Sequence, residues 1–165
     1  MPIGDFKDQA DVGFHVGAFG MSALSGNLSA RLDGAYNDFG TKDFAVSGAT
    51  ASSKTSILHG TLDLQYNLGA ETEMASGGGA LPYISGGAGV YRFSFDDKCT
   101  GTGCSSVTLG SASETHWGLN AGAGAIFPLS GFTPFVDVHF HTMFPKSGQS
   151  GRANMILASF GLKFR

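Results

Sequence analysis

The sequence predicts an all-β fold: an antiparallel transmembrane β-barrel of nominally eight strands, with seven evident in this chain. Three observations predict it. Apolar residues recur at every second position through long segments, which is the period of a strand and not of a helix. The 26 glycines among 165 residues exceed the usual share of about 7%, and charged residues, at 14%, fall below the usual ~25%. With 14 phenylalanines this composition suits a glycine- and aromatic-rich sheet, whereas glycine is a poor helix former. The segments also approach or pass the about 9–11 residues that a tilted membrane strand needs, where soluble strands average about five or six.

In chain order, residues 11–21 set Val12, Phe14, Val16 and Ala18 against Asp11, Gly13, His15 and Gly17. Residues 28–37 set Leu28, Ala30, Leu32, Gly34 and Tyr36 against Ser29, Arg31, Asp33, Ala35 and Asn37. Residues 57–68 set Leu58, Gly60, Leu62, Leu64, Tyr66 and Leu68 against Ile57, His59, Thr61, Asp63, Gln65 and Asn67. In 82–96, Tyr83, Gly87, Gly89, Tyr91, Phe93 and Phe95 oppose Ile84, Gly86, Ala88, Val90 and Arg92. The aromatic face is expected outward there, because that turns Arg92 inward with the other charges. Residues 114–127 set Thr115, Trp117, Leu119, Ala121, Ala123, Ala125 and Phe127 against Glu114, His116, Gly118, Asn120, Gly122, Gly124 and Ile126. In 134–144, Val136, Val138, Phe140 and Phe144 oppose Asp137, His139 and His141; in 154–164, Ile156, Ala158, Phe160, Leu162 and Phe164 oppose Ser159, Gly161 and Lys163.

A soluble sandwich also alternates. A membrane is favoured by strand length, by charges recurring on the polar faces (Arg31, Asp33, Asp63, Glu114, Asp137), and by aromatics near the apolar-face ends (Tyr36, Tyr66, Phe127, Phe144, Phe164). The connections alternate too: 23–27 and 128–131 are short, 38–55 and 97–112 long, 145–151 intermediate, with 69–80 long for its place. There is no run of 18 apolar residues, so no transmembrane helix is expected. Residues Met1 to Asp5 lack a basic segment and an apolar core, which predicts a mature chain whose leader has been removed. The net charge of −3 leaves no basic footprint for nucleic acid.

Seven strands are an odd number, which forces a parallel closing pair. Two repairs are open: a strand N-terminal to Met1, or a short strand inside 38–55, where Phe44, Val46 and Gly48 alternate with Ala45, Ser47 and Ala49. The first is preferred, with 1–10 read as a loop and the open edges available for self-association. Cys99 and Cys104 flank a glycine-rich spacer that folds back readily, so a local disulfide is expected in an oxidising compartment.

Three stretches resemble the small outer-membrane β-barrel domain family, the eight-stranded porin-like or surface barrels. They are Pro82-Tyr83-Ile84-Ser85-Gly86-Gly87-Ala88-Gly89-Val90-Tyr91, Gly118-Leu119-Asn120-Ala121-Gly122-Ala123-Gly124 with Phe127-Pro128-Leu129, and Phe160-Gly161-Leu162-Lys163-Phe164-Arg165. The last is similar to the C-terminal insertion signal of that family, carried here by Phe160, Leu162 and Phe164, although Arg165 follows the aromatic residue. The resemblance covers nearly the whole chain as a single domain, 1–165. It implies a bacterial outer-membrane protein whose partners are the lipid bilayer and the barrel-assembly machinery.

All five histidines, His15, His59, His116, His139 and His141, fall on polar faces. Counting back from the turn at 128–131 sets His139 opposite Asn120 and His116 diagonal to His141. His116, His139, His141 and Asp137 are thus the candidates for a metal site, against the plainer reading of a narrow barrel filled with hydrogen-bonded side chains. No metal and no cofactor is expected on balance. Ser159 faces inward and could approach a histidine, but no oxyanion-hole motif accompanies it, so no enzyme is expected. Gly77-Gly78-Gly79 and Gly86-Gly87 lack the Lys-Ser/Thr of a phosphate loop. The expected role is a membrane anchor presenting loops 38–55 and 97–112. The alternatives are a narrow pore for small solutes, a lipid-modifying enzyme and a soluble β-barrel ligand binder, separable by conductance, activity and detergent dependence.

Overall fold

The computed structural model describes residues 1–8, 10–46, 49–69, 79–101, 104, 111–129, 133–145 and 151–163. The strands are β1 (Pro2–Ile3), β2 (Gly13–Ser25), β3 (Leu28–Phe39), β4 (Lys42–Val46), β5 (Ala49–Asn67), β6 (Leu81–Gly101), β7 (Ser111–Ile126), β8 (Thr133–Met143) and β9 (Ala153–Lys163). One turn of 3₁₀-helix, Gly4–Asp8, leads from β1 towards β2. Apart from β4, eight strands form one path, β1-β9-β8-β7-β6-β5-β3-β2, and every pair along it is antiparallel except that β1 and β2 do not meet. The molecule is therefore all-β, one antiparallel sheet, not closed.

The pairing of β2 with β3 is set by a tight turn. Between β2 and β3 the strands run to a two-residue turn at Gly26-Asn27, where Gly26 has φ 48°. Glycine adopts that left-handed conformation without a Cβ clash, and the hairpin follows. A register shift between Ala23 and Ser25 absorbs one residue just before it.

β4 lies inside 38–55, where the second repair put a strand, but it adds nothing to the path around the sheet. β3 pairs with Ser56 to Tyr66 of β5, and β4 pairs with Ala49 to Ser53 on the same edge. The two are one interrupted strand in a lengthened hairpin. β5 and β6 pair from Asn67↔Tyr83 out to Ala49↔Gly101, past Asp96↔Ser111 where β7 stops. β4, β5 and β6 thus form a three-stranded arm, and Cys99 and Cys104 are disulfide-bonded at its tip, Cα to Cα 5.7 Å.

The sheet curls until its two ends face each other: His15 on β2 and Ser159 on β9 meet through side chains, Nε2 to Oγ 2.9 Å. Phe19 of β2 packs edge-on against Phe135 of β8, centroids 5.2 Å apart. The concave side holds two apolar clusters, one at each end. At the arm end are Phe6, Ala10, Phe39, Ile57, Tyr91, Phe93, Met143, Met155 and Leu157; at the Gly26 end are Leu81, Tyr83 and Ile126, with Phe135 against them.

Two expectations are corrected. Residues 1–10 are not simply a loop: Pro2 and Ile3 pair with Met155 and Asn154, and Phe6 is buried against Phe39 and Phe93. On β6 the faces are reversed. Tyr83, Tyr91 and Phe93 are buried inside, while Ile84 and Val90 are exposed and Arg92 points outward to Ser113. Aromatic rings fill the interior ends, and a single exposed arginine with a hydroxyl partner does not outweigh burying three of them.

Candidate functional site

The functional features are two faces of one sheet. On the concave face the middle of the molecule is polar. Strand alternation sends Arg31, Asp33 and Asn37 inward from β3, His59, Thr61, Asp63 and Gln65 from β5, Ser85 from β6, Asn120 from β7, and Asp137, His139 and His141 from β8. Asp63 is 2% exposed and Asp137 5%, so their charges are held by partners and not by water.

Arg31 organises the centre. Its Nε donates to both Asp33 carboxylate oxygens at 2.9 Å and its Nη2 to Oδ1 at 2.7 Å, while Nη1 reaches Asp137 Oδ2 at 3.4 Å. Tyr83 donates its hydroxyl to the same Asp137 oxygen at 2.9 Å. The guanidinium lies 4.3 Å from the Phe19 centroid, so a flat cation is clamped between carboxylates and a ring. A second group centres on Asp63, which accepts from Thr61 at 2.9 Å and from Asn120 Nδ2 at 2.7 Å. The histidines complete the interior. His141 Nδ1 meets the Tyr91 hydroxyl at 2.9 Å, His59 Nδ1 meets Asn37 Nδ2 at 2.9 Å, and His139 Nε2 lies 3.3 Å from Ser85 Oγ.

Of the metal candidates, Asp137, His139 and His141 share this interior, with His139 Nε2 3.7 Å from Asp137 Oδ2. His116 stands apart at the arm end, bonded to Glu114 and to the Phe144 carbonyl. Among the described residues no group of three or more His, Cys, Asp or Glu side chains is placed to hold a metal ion. The register explains the separation: Asn120 pairs with His141 and Gly122 with His139, two residues away from the count made back from the turn. A Cβ at Gly122 would lie 2.5 Å from the His139 ring, so glycine is what lets that imidazole lie flat on β7. Ser159 does approach a histidine, and it is His15 across the open side.

The convex face is the opposite. Exposed large apolar side chains stand on all seven long strands: Phe14 and Val16, Leu32 and Tyr36, Leu58, Leu62 and Tyr66, Ile84 and Val90, Trp117 and Leu119, Val136, Val138 and Phe140, and Phe160 and Leu162. Trp117 is 66% exposed and Phe160 90%. Phe160 and Leu162, expected in a C-terminal signal, both point outward; Phe164 lies outside the described residues, as do 70–78, 105–110 and 146–150 within the expected connections.

Sequence reasoning missed Phe6, Phe19, Phe135 and the inward tyrosines. Phe19 carried a signal, since it has the parity of His15 and Gly17 on the polar face. Compared with known proteins, the chain matches no protein-family model and no curated protein.

Proposed function

We propose that this chain is an outer-membrane β-barrel protein with a structural or surface-interaction role, a membrane anchor that presents its arm and loops on one side. One observation carries the reading: the partition of residues is inside out. Carboxylates, an arginine and imidazoles are buried and hydrogen-bonded, while leucine, valine, tryptophan and phenylalanine stand exposed on seven adjacent strands. Soluble monomers rarely leave a contiguous apolar patch of more than a few hundred Å². A bilayer is the solvent that accepts this belt, and a sheet closed into a barrel is one of the two structures that can cross it.

Ring placement supports the same reading. Phe14, Tyr36 and Trp117 stand outward towards the arm end and Tyr66, Phe127 and Phe160 outward towards the Gly26 end. Tyr36 pairs with Leu58, eight residues from Tyr66, ~27 Å along the strand at 3.4 Å per residue. At the tilt of about 35–45° found in membrane barrels that span projects to about 19–22 Å, within the ~25 Å apolar band whose edges carry aromatic girdles. The resemblance to small outer-membrane barrels agrees, with the arm outside and the Gly26 turn in the periplasm.

The test is partition. Chain refolded from urea is offered buffer, detergent micelles and phosphatidylcholine vesicles. The reading expects aggregation in buffer, and in vesicles a protease-resistant form whose gel mobility changes on boiling. A monodisperse folded chain in plain buffer overturns it.

A further inference from the structure

We infer that Arg92 and the hydroxyls around it form a binding site for the phosphate of an anionic lipid headgroup, at the arm-side edge of the apolar belt. The inference rests on the membrane reading and deepens it, by naming the class of lipid that the outward face selects.

Register sets the depth of Arg92. It pairs with Leu58 on β5 and Thr115 on β7, and Leu58 pairs with Tyr36 on β3. Arg92 therefore stands in the row of Tyr36, one outward position beyond Val90, which pairs with Trp117. Tyr36 and Trp117 belong to the arm-side ring of aromatics, the level at which membrane barrels meet the headgroups. From that row to the Gly26 end, the described outward residues of β2, β3 and β5 to β9 carry no other charge.

The partners of Arg92 are hydroxyls. Lys54, farther along the arm, is neutralised, its Nζ 2.9 Å from Asp38 Oδ2. Arg92 makes no such ion pair among the described residues; its hydrogen bond runs from Nη2 to Ser113 Oγ at 3.3 Å. Thr115 lies directly opposite, and Ser113 pairs with Ser94 one outward position on. Arg92, Ser113 and Thr115 are all exposed. A guanidinium carries five N–H donors in a planar fork that matches phosphate oxygens, and one long bond to a hydroxyl leaves most of them available. Serine and threonine hydroxyls donate as well as accept, so they add bonds to a phosphate that Arg92 holds.

Charge then decides the class of lipid. A zwitterionic headgroup brings an ammonium that needs a partner of its own. The row of Val16, Tyr36, Leu58, Arg92 and Thr115 holds no carboxylate, and in the next row Asp38 is already on Lys54. A headgroup whose phosphate is its only charge meets this site without leaving a charge unpaired. An arginine that only reached past the belt to water, as long cationic side chains do at membrane edges, would show no preference among lipids.

The chain's one tryptophan, Trp117, is diagonal to Arg92 on the neighbouring strand and exposed, so its fluorescence reports the lipid beside the site. Chain folded in phosphatidylcholine vesicles is given a tenth of either phosphatidic acid or phosphatidylcholine with brominated acyl chains, which quench tryptophan on contact. Quenching by brominated phosphatidic acid is expected to exceed that by brominated phosphatidylcholine severalfold. The excess should vanish in Arg92→Gln and persist in Lys54→Gln. Ser113→Ala with Thr115→Val keeps the charge, removes the hydroxyls and should lose at least half of the excess. Equal quenching by the two lipids in the unaltered chain overturns the site. So does an excess that survives Arg92→Gln, that falls as far in Lys54→Gln, or that the Ser113 and Thr115 changes leave untouched, so the outcome does not hang on one variant folding. Loss of the excess to glycerol phosphate added to the buffer would overturn a lipid as the occupant. If neither lipid quenches Trp117, the membrane reading itself falls, whereas equal quenching leaves that reading standing and removes the site alone.

Discussion

At the scale of single residues, position on the sheet decides what a substitution costs. Leu119 and Val138 are exposed near mid-strand, where the proposed environment is hydrocarbon. Leu119→Arg and Val138→Arg are each expected to destabilise folding into vesicles by about 2–4 kcal/mol. Folding free energies from urea titrations in vesicles measure this, and two unchanged midpoints would remove the lipid-facing assignment. Inside, Arg31 and Asp137 are unequal partners. Removing Asp137 leaves Arg31 still chelated by Asp33, at a cost of about 1–3 kcal/mol. Removing Arg31 leaves Asp33 and Asp137 without their cation, and breaking a buried pair that way costs about 3–5 kcal/mol. The same titrations should therefore rank Arg31→Ala below Asp137→Ala, and the reverse order would contradict the central role of Arg31. Gly122→Ala adds a Cβ 2.7 Å from the Val138 carbonyl as well as against His139, so overpacking of about 1–3 kcal/mol is expected where most exposed-strand Gly→Ala changes would help.

At the scale of elements, the arm and the wall are separable. The Cys99–Cys104 bridge closes a loop with a sequence separation of only 5, beyond the point where β7 stops pairing. Chain entropy assigns so short a loop only about 2 kcal/mol. Reduction is thus expected to increase tryptic cleavage at Lys98 while leaving the vesicle-folded fraction unchanged; loss of the folded form on reduction would tie the wall to the bridge. The elements also differ in how legible they were. Six strands were readable with their faces, because one face of each is continuously apolar and period two allows a single reading. β6 was not, since Gly86, Gly87, Ala88 and Gly89 carry no preference and the remaining choice was between sheltering Arg92 and sheltering rings. The interior histidines were recognised, but their pairing was two residues off, because a turn counted from Pro128 does not fix where Ile126↔Phe135 begins the ladder. Pairing of Pro2 and Ile3 was invisible for a simpler reason: two residues have no period, and only contact with Asn154 and Met155 makes them a strand.

At the scale of the whole molecule, the question is whether the interior conducts. A pore needs continuous water from one mouth to the other. Here the polar middle is bounded on both sides. Phe6, Phe39 and Phe93 close the arm end in edge-on contacts with centroids 5.4 and 5.9 Å apart, and Leu81, Ile126 and Phe135 close the Gly26 end. Between them the charged groups already have partners, Arg31 with Asp33 and Asp137, and Asp63 with the Asn120 amide and the Thr61 hydroxyl, so an ion entering would have to break bonds that are already made. Small barrels fill much of their interiors in this way, and the cavity of about 650 Å³ that remains here lies among Arg31, Asp63, His139 and His141, beside β2 and β9. The wild-type chain is therefore expected to give no discrete conductance steps in a planar bilayer bathed in concentrated KCl. Phe6→Ala with Phe93→Ala should remain closed too, because the far cluster and the central ion pairs are untouched. Opening should need both ends and the centre together, so steps appear only when Phe135→Ala and Arg31→Ala are added. Discrete, ion-selective steps from the unaltered chain would overturn this and favour the transport reading over the anchor.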